Sequence, residues 1–207
     1  MPTVYVVPHT EATHHTENLV GGWYDSELTP RGRNQAQAAA AALTEIITTK
    51  PLIYSSDLKR AMQTAEPIAA HFEVPIATTS DLREISCGVA EGKPQDWLRE
   101  RVSHPPATGP RMDHPIIEGA ETRRDICLRI HRFLDQLLAE DFDEAVLVTH
   151  GFATTFIIAA WIGMPLEATG YVDFDVDSGS VTVLKIDPTW GNRTLKSLNL
   201  NEHLVSI

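Results

Sequence analysis

Cysteine is scarce: Cys87 and Cys127 are the only two in 207 residues. They lie far apart, in neither a disulfide nor a metal-binding pattern, so a reducing, cytoplasmic setting is the expectation. Basic residues are outnumbered: 17 Lys and Arg stand against 28 Asp and Glu, a net charge of −11. That leaves no basic field to steer nucleic acid or an anionic membrane, and neither partner is expected. No uncharged apolar run has membrane-spanning length. The opening "MPTVYVVPHT" lacks the basic segment, apolar segment and small-residue site of a signal peptide. Internal repeats and low-complexity linkers are absent as well, so one domain over residues 1–207 is expected, long enough for a sizeable core. An acidic chain can still take a small anion, provided its few cations are gathered at one place.

What is present alternates. "TVYVV" is a β-branched run ended by Pro8, which favours an extended residue before it, and reads as a strand. "EATHHTENLVGGWYDSEL" has neither helical nor strand period and reads as a long loop, the kind that tends to be functional. "TPRGRNQAQAAAAALTEII" reads as a helix, with Thr29 as N-cap, Pro30 at the first position and an alanine run of high propensity. "PLIYSS" is the next strand. "SDLKRAMQTAEPIAAHF" is a helix capped by Ser56 or Asp57 and bent near Pro67.

After the short apolar piece "VPIAT", "RVSHPPATGPRMDHP" reads as an exposed loop or lid. Ile126, Ile130, Phe133, Leu134, Leu137 and Leu138 share one face of a further helix. "EAVLVTH" is a strand ending on His150, and "GFATTFIIAAWIG" an apolar helix. "GYVDFDV", "GSVTVLKID" and "RTLKSLNL" read as three closing strands. The alternation predicts an α/β protein: a three-layer α/β/α sandwich with a mainly parallel sheet and antiparallel strands at an edge near the C-terminus.

In such a sheet ligands bind beyond the carboxyl ends of the strands. The strands deliver His9, the "SSDLKR" segment with Arg60, and His150 to that edge. The residue types leave three readings of "VVPHTEATHH": a phosphate-handling site, a metal site from His9, His14, His15 and Glu17, or the remnant of a site. The histidine spacing matches no helical metal motif.

At these residues the chain resembles the histidine phosphatase superfamily, which includes phosphoglycerate mutases and broad-specificity phosphatases. The motifs are "PHTEATHH" with "GGWYDSELTPRG", then "SSDLKRAMQTAE", "LREISCGVAEG" and "VLVTHG", in the family's order. The resemblance covers nearly the whole chain and implies a phosphoglycerate mutase-like fold. It implies that His9 is the nucleophile forming a phosphohistidine, Arg60 a clamp on an oxygen pair and His150 a second phosphoryl ligand. Glu84 matches the general acid, held protonated by burial. The loop glycines Gly21 and Gly22, and the backbone N–H groups of Thr10, Gly151 and Phe152, complete the expected binding set, with Gly151 opening a helix whose dipole favours an anion. No metal and no cofactor are expected.

The departures matter as much. The family's arginine before the nucleophile is Pro8 here, its following glycine is Thr10, and its asparagine six positions on is His15. Losing that arginine is expected to cost on the order of 2–4 kcal/mol of transition-state stabilisation. A His15 imidazolium, with His14, would replace part of the charge; the competing reading makes both of them solvated loop histidines. The leading expectation is a metal-independent phosphatase acting on a small phosphorylated metabolite. The alternatives are a weakly active or non-catalytic anion binder and a phosphoglycerate mutase, the last disfavoured by the compact segment from Gly88 to Ala120. Arg123, Arg124, Arg129 and Arg132 read as a solvated helix face beside acids, Trp23 as loop packing and Cys87 as a small buried residue. Specificity is expected to come from Thr16–Asp25 and Lys93–Pro115, but substrate identity and oligomeric state are not legible.

Overall fold

The computed structural model describes residues 2–205 and 207. Six strands form one sheet in the order β3-β2-β4-β1-β5-β6. They are β1 (Thr3–Pro8), β2 (Leu52–Ser56), β3 (Ile76–Thr79), β4 (Glu144–Thr149), β5 (Val181–Ile186) and β6 (Arg193–Leu200). The β1–β4, β2–β4 and β2–β3 pairs are parallel, whereas β5 joins β1 and β6 antiparallel, so the expected mainly parallel sheet with an antiparallel edge is what forms.

The helices are α1 (Thr13–Thr16), α2 (Pro30–Thr44), α3 (Lys59–Phe72), α4 (Gln95–Arg99), α5 (Arg123–Leu138) and α6 (Gly151–Trp161). Alternate strand residues face opposite sides of the sheet. Tyr5, Val7, Val146 and Val148 pack with Ala40, Leu43, Ala61, Ala65 and Ile68 of α2 and α3. Val4, Val6, Ala145 and Leu147 pack with Ile126, Ile130, Phe133, Phe156 and Ile157 of α5 and α6. Helix α6 is apolar all round and is buried from Ala153 to Trp161, as such a helix must be. Each fully buried large side chain there contributes roughly 1.5–3 kcal/mol.

Thr29 caps α2 as expected, its Oγ1 accepting from the Gly32 N–H at 2.9 Å, with Pro30 at the first position. The cap of α3 differs. Its N-cap is Leu58, and the Lys59 N–H donates instead to Asp25 Oδ1 of the preceding loop at 2.8 Å. Both expected caps are committed elsewhere: Asp57 holds Arg83 by two hydrogen bonds, and Ser56 Oγ meets His150. Pro67 stands inside α3, which runs on to Phe72. The long loop contains α1, which sequence periodicity did not reveal. "GYVDFDV" forms no strand; its first residues end a 3-10 turn (Leu166–Tyr171) and the rest is irregular. Residues 101–115 form the expected exposed loop, anchored by the fully buried Met112.

Candidate active site

Strand β1 hands the chain to His9, whose N–H donates to the Thr149 carbonyl of β4 at 2.8 Å. The His9 Nδ1 lies 2.7 Å from the Thr10 carbonyl. A carbonyl only accepts, so Nδ1 carries the proton and Nε2 presents a lone pair. Arg60 Nε donates to that Nε2 at 3.1 Å. Burial first, then the Arg60 charge, hold the His9 imidazole well below its ordinary pKa, so the ring is neutral near pH 7.

Arg60, in the first turn of α3, is 1 % exposed. Its Nη1 and Nη2 donate to the Tyr24 and Gly22 carbonyls, each at 2.7 Å. The expected two-pronged clamp is therefore turned onto the loop, and Nε is the donor that faces the nucleophile. Burial lowers this guanidinium to about 10, against the opposing pull of Glu84 and Asp25, and it stays charged at neutral pH. Gly22 can receive it because φ is +55° and an added Cβ would meet the Cys87 nitrogen at 2.9 Å.

Glu84 is fixed from both ends. Its carboxylate oxygens accept from the Ile85 and Phe152 N–H groups at 2.8 and 3.0 Å. Its backbone carbonyl accepts from Trp23 Nε1 and Arg129 Nη2, both at 2.8 Å. Burial raises the carboxyl above its ordinary range and outweighs the two N–H donors, Arg60 and Arg129, which lower it. The Phe152 N–H is thus spent on Glu84 rather than left for a ligand. Thr10 is a second correction: it is fully buried, its N–H donates to Thr64 Oγ1 at 3.2 Å and its hydroxyl to the Gly32 carbonyl at 2.7 Å.

His150 is also fully buried, its ring centroid 5.1 Å from that of His9 and edge-on to it. Its Nε2 meets Ser56 Oγ at 2.9 Å. Ser56 Oγ also accepts from the Leu58 N–H, which uses one of its two lone pairs. His150 Nδ1 is a buried atom without a partner.

A cavity of about 530 Å³ brings together His9, His15, Gly21, Gly22, Arg60, Glu84 and Gly151 of the expected set, along with Pro8, His14, Gln95 and Arg99. Thr10, His150 and Phe152 are not among its walls. Gln95 and Arg99 of α4 lie within the 93–115 segment from which specificity is expected, although no motif singles out either side chain. Arg129 is not on a solvated face: it is 8 % exposed, pairs with Glu121 at 3.0 Å, and donates to the carbonyls of Asp81, Arg83 and Glu84. Its helical neighbours Arg124 and Arg132 do sit with acids, Asp113, Glu167 and Asp81.

The His15 ring stacks at 5.4 Å on that of His9, and its Nδ1 accepts from the Ala12 N–H at 3.2 Å, which places the neutral ring's proton on Nε2. His14 Nδ1 lies 2.7 Å from Ser26 Oγ. Burial, with neighbouring charges second, lowers both rings, His14 to about 3. Both rings are neutral in the unliganded pocket near pH 7, and neutral His15 offers an N–H donor. One ligand atom each from His9, His14 and His15 lies within 4.8 Å of the others, with Glu17 outside the group. The buried Arg60 guanidinium on the His9 lone pair opposes a cation at that cluster and suits an anion.

The chain is similar to known proteins along nearly its whole length. It is 32% identical over 179 residues to the Escherichia coli O1:K1 protein named "Probable phosphoglycerate mutase GpmB", across 81% of this chain and 78% of that one. The structure of YhfR from Bacillus stearothermophilus superposes with a TM-score of 0.81 at 26% identity, covering 99% of this chain and 100% of the other. The mycobacterial glucosyl-3-phosphoglycerate phosphatase superposes with a TM-score of 0.78 at 25% identity, covering 96% and 98%. With residues 4–201 matching the family description as well, the chain belongs to the histidine phosphatase superfamily, branch 1.

Proposed function

We propose that this protein is a phosphomonoester phosphatase working through a phosphohistidine on His9. The observation that carries the reading is the fixed tautomer: on a histidine that lines the cavity, Nδ1–H is tied to the Thr10 carbonyl and the Nε2 lone pair accepts from a buried arginine. A neutral imidazole attacks phosphorus at Nε2 and later leaves from it, which divides one hard transfer into two easier ones. Arg60 Nε–H moves from Nε2 to a phosphoryl oxygen as the P–N bond forms. A second oxygen is assigned to His150, which lies behind the cavity wall with its ring 5.1 Å from that of His9 and its Nδ1 unpartnered, so that the charge spread over those oxygens meets fixed donors. Protonated Glu84 gives its proton to the departing alkoxide, then takes one from the water that cleaves the phosphohistidine. This sequence calls on protein side chains alone, and the setting is proposed to be cytoplasmic.

The test is release of phosphate from an aryl phosphate, with an acid-labile phosphoenzyme that His9→Ala removes. Phosphate binding without either signal would overturn the reading. Incubation with 3-phosphoglycerate scores the mutase alternative by its transfer product.

A second reading has one specific support. Pro8 lines the cavity where the family carries an arginine, and the nearby imidazoles of His14 and His15 are neutral. Such a pocket could bind anions and turn over slowly. Pro8→Arg separates the two. A rise in kcat of roughly 10²-fold or more marks the proline as a weakening of an enzyme. An unchanged or lower kcat marks a pocket rebuilt around proline.

A further inference from the structure

Glu84 also lines a second cavity, of about 360 Å³, whose walls include Ile85, Cys87, Pro105, Ile116 and Phe152. Two arginines border this mainly apolar space, Arg111 and Arg123, along with Glu121 and His114. In an acidic chain this is unusual. The other arginines outside the first cavity, Arg193 excepted, pair with carboxylates. Among the described residues Arg111 and Arg123 have no such partner. Arg111 donates to the carbonyls of Gly170 and Pro106, and Arg123 to those of Thr169 and Val172. Each also stacks on an aromatic ring, Arg111 on Tyr171 at 5.0 Å and Arg123 on Phe152 at 4.8 Å. These contacts position the guanidiniums without neutralising them.

The acids at this cavity do not cancel that charge. Glu121 is engaged by Arg129 and by the Ser86 N–H. Glu84 faces the Phe152 N–H, and Asp173, near Arg123, accepts from the Thr155 hydroxyl. His114 donates Nε2–H to the Ser103 carbonyl and Cys87 is a free thiol.

We propose that this cavity receives the leaving-group half of the substrate, an apolar or aromatic body that ends in a second anionic group held by Arg111 and Arg123. The inference rests on the phosphatase reading above. Its geometry is the shared wall: the general acid stands between the cavity that holds His9 and the one that holds the two arginines. A leaving oxygen protonated by Glu84 therefore belongs to a molecule whose remainder can occupy the second space. The apolar walls favour a ring or alkyl body over a sugar, whose hydroxyls would find few partners there. The unpaired guanidiniums select a carboxylate or phosphate at the far end.

Equilibrium binding of non-hydrolysable phosphonates tests this without requiring turnover. Phenylphosphonate is compared with a short series bearing a carboxylate on the ring or one or two methylenes beyond it. At least one acid is expected to bind tenfold or more tighter than phenylphosphonate. Inorganic phosphate should displace it, and added salt should reduce the preference. Arg111→Gln and Arg123→Gln should each bring the preference ratio toward one. Because Arg123 also braces the 169–172 segment, Ile116→Trp is the second arm: filling the cavity should lower affinity for the whole series relative to inorganic phosphate. No preference in the wild type, a preference untouched by both arginine variants, or binding that phosphate does not displace would each overturn the proposal. Absence of phosphate release from phenyl phosphate, with the acid preference intact, would count against the phosphatase reading alone.

Discussion

At the scale of single residues, two groups set the expected pH behaviour. His9 must be neutral to attack, and its pKa is lowered, so activity rises through a value below 6.5. Glu84 must be protonated to act as acid, and its pKa is raised, so activity falls through a value above 4.5. The profile of kcat/KM should be bell-shaped, with His9 setting the acid limb and Glu84 the alkaline limb. Glu84→Gln should abolish the alkaline limb. It should also cost an alkyl phosphate roughly 10²–10⁴-fold while costing 4-nitrophenyl phosphate much less, because nitrophenolate leaves without a proton. Equal losses on both substrates would show that Glu84 is not the acid. His15 gives a second residue-scale prediction. Burial keeps it neutral in the empty pocket, and a phosphate dianion arriving beside it favours the imidazolium. Phosphate binding should therefore take up protons and weaken from pH 5.5 to pH 8. Calorimetry in buffers of different ionisation enthalpy measures that uptake, and His15→Asn should remove it.

At the scale of elements, the start of α2 sets the nucleophile loop. Thr29 N–H and Oγ1 reach back to Glu11, and the Thr10 hydroxyl donates to the Gly32 carbonyl. A Cβ at Gly32 would stand 1.9 Å from the Glu11 carbonyl oxygen, so only glycine permits this approach. Gly32→Ala should cost about 1–3 kcal/mol of stability and lower kcat as well, because Thr10 holds the His9 tautomer through its own carbonyl. Urea unfolding beside aryl phosphate kinetics checks both; a loss of stability with full activity would uncouple α2 from the site. This element was legible beforehand, since Thr29, Pro30 and Gly32 are local signals. Strands β1, β2 and β4 and helices α5 and α6 were legible for the same reason, through runs and periods within one segment. What is not legible in the sequence depends on distant partners. The cap of α3 comes from Asp25, the Phe152 N–H is claimed by Glu84, and Arg129 is buried by the Glu84 backbone segment it serves. "GYVDFDV" alternates like a strand, yet Phe174 N–H and Asp173 are held by Thr155 of α6 rather than by a strand. His9, Arg60 and Glu84 were placed by motif. The side chains around them were chosen by tertiary contacts that no spacing encodes.

At the scale of the molecule, the sheet separates chemistry from anchorage. The carboxyl ends of β1 and β4 carry His9 and His150, whereas Glu144 stands at the opposite, amino end of β4. Glu144 is 8 % exposed and gathers the segment after α2. Its carboxylate accepts from the Tyr5 hydroxyl at 2.9 Å and from the Thr48 and Thr49 N–H groups at 2.9 and 2.7 Å. Burial by itself would raise this carboxyl; the Thr49, Thr48 and Tyr5 donors overcome it and hold it below the ordinary range. The sign of the linkage follows. A depressed folded-state pKa contributes stability that is present above the unfolded value and is lost as pH falls through the folded one. Glu144→Gln keeps the shape, removes the charge and sets an amide NH₂ against one or more of those donors. It should cost about 1–3 kcal/mol at pH 7, and a loss of 1 kcal/mol corresponds to about 2–4 °C in Tm for a chain of this size. The gap between variant and wild type should narrow toward low pH, as the wild-type carboxyl takes up its proton. Because the substitution lies across the sheet from His9, kcat/KM at 25 °C should not change. A fall in kcat/KM without a fall in Tm would mean that the two ends of the sheet are coupled, and that the anchor at Glu144 positions the nucleophile strand as well as stabilising it.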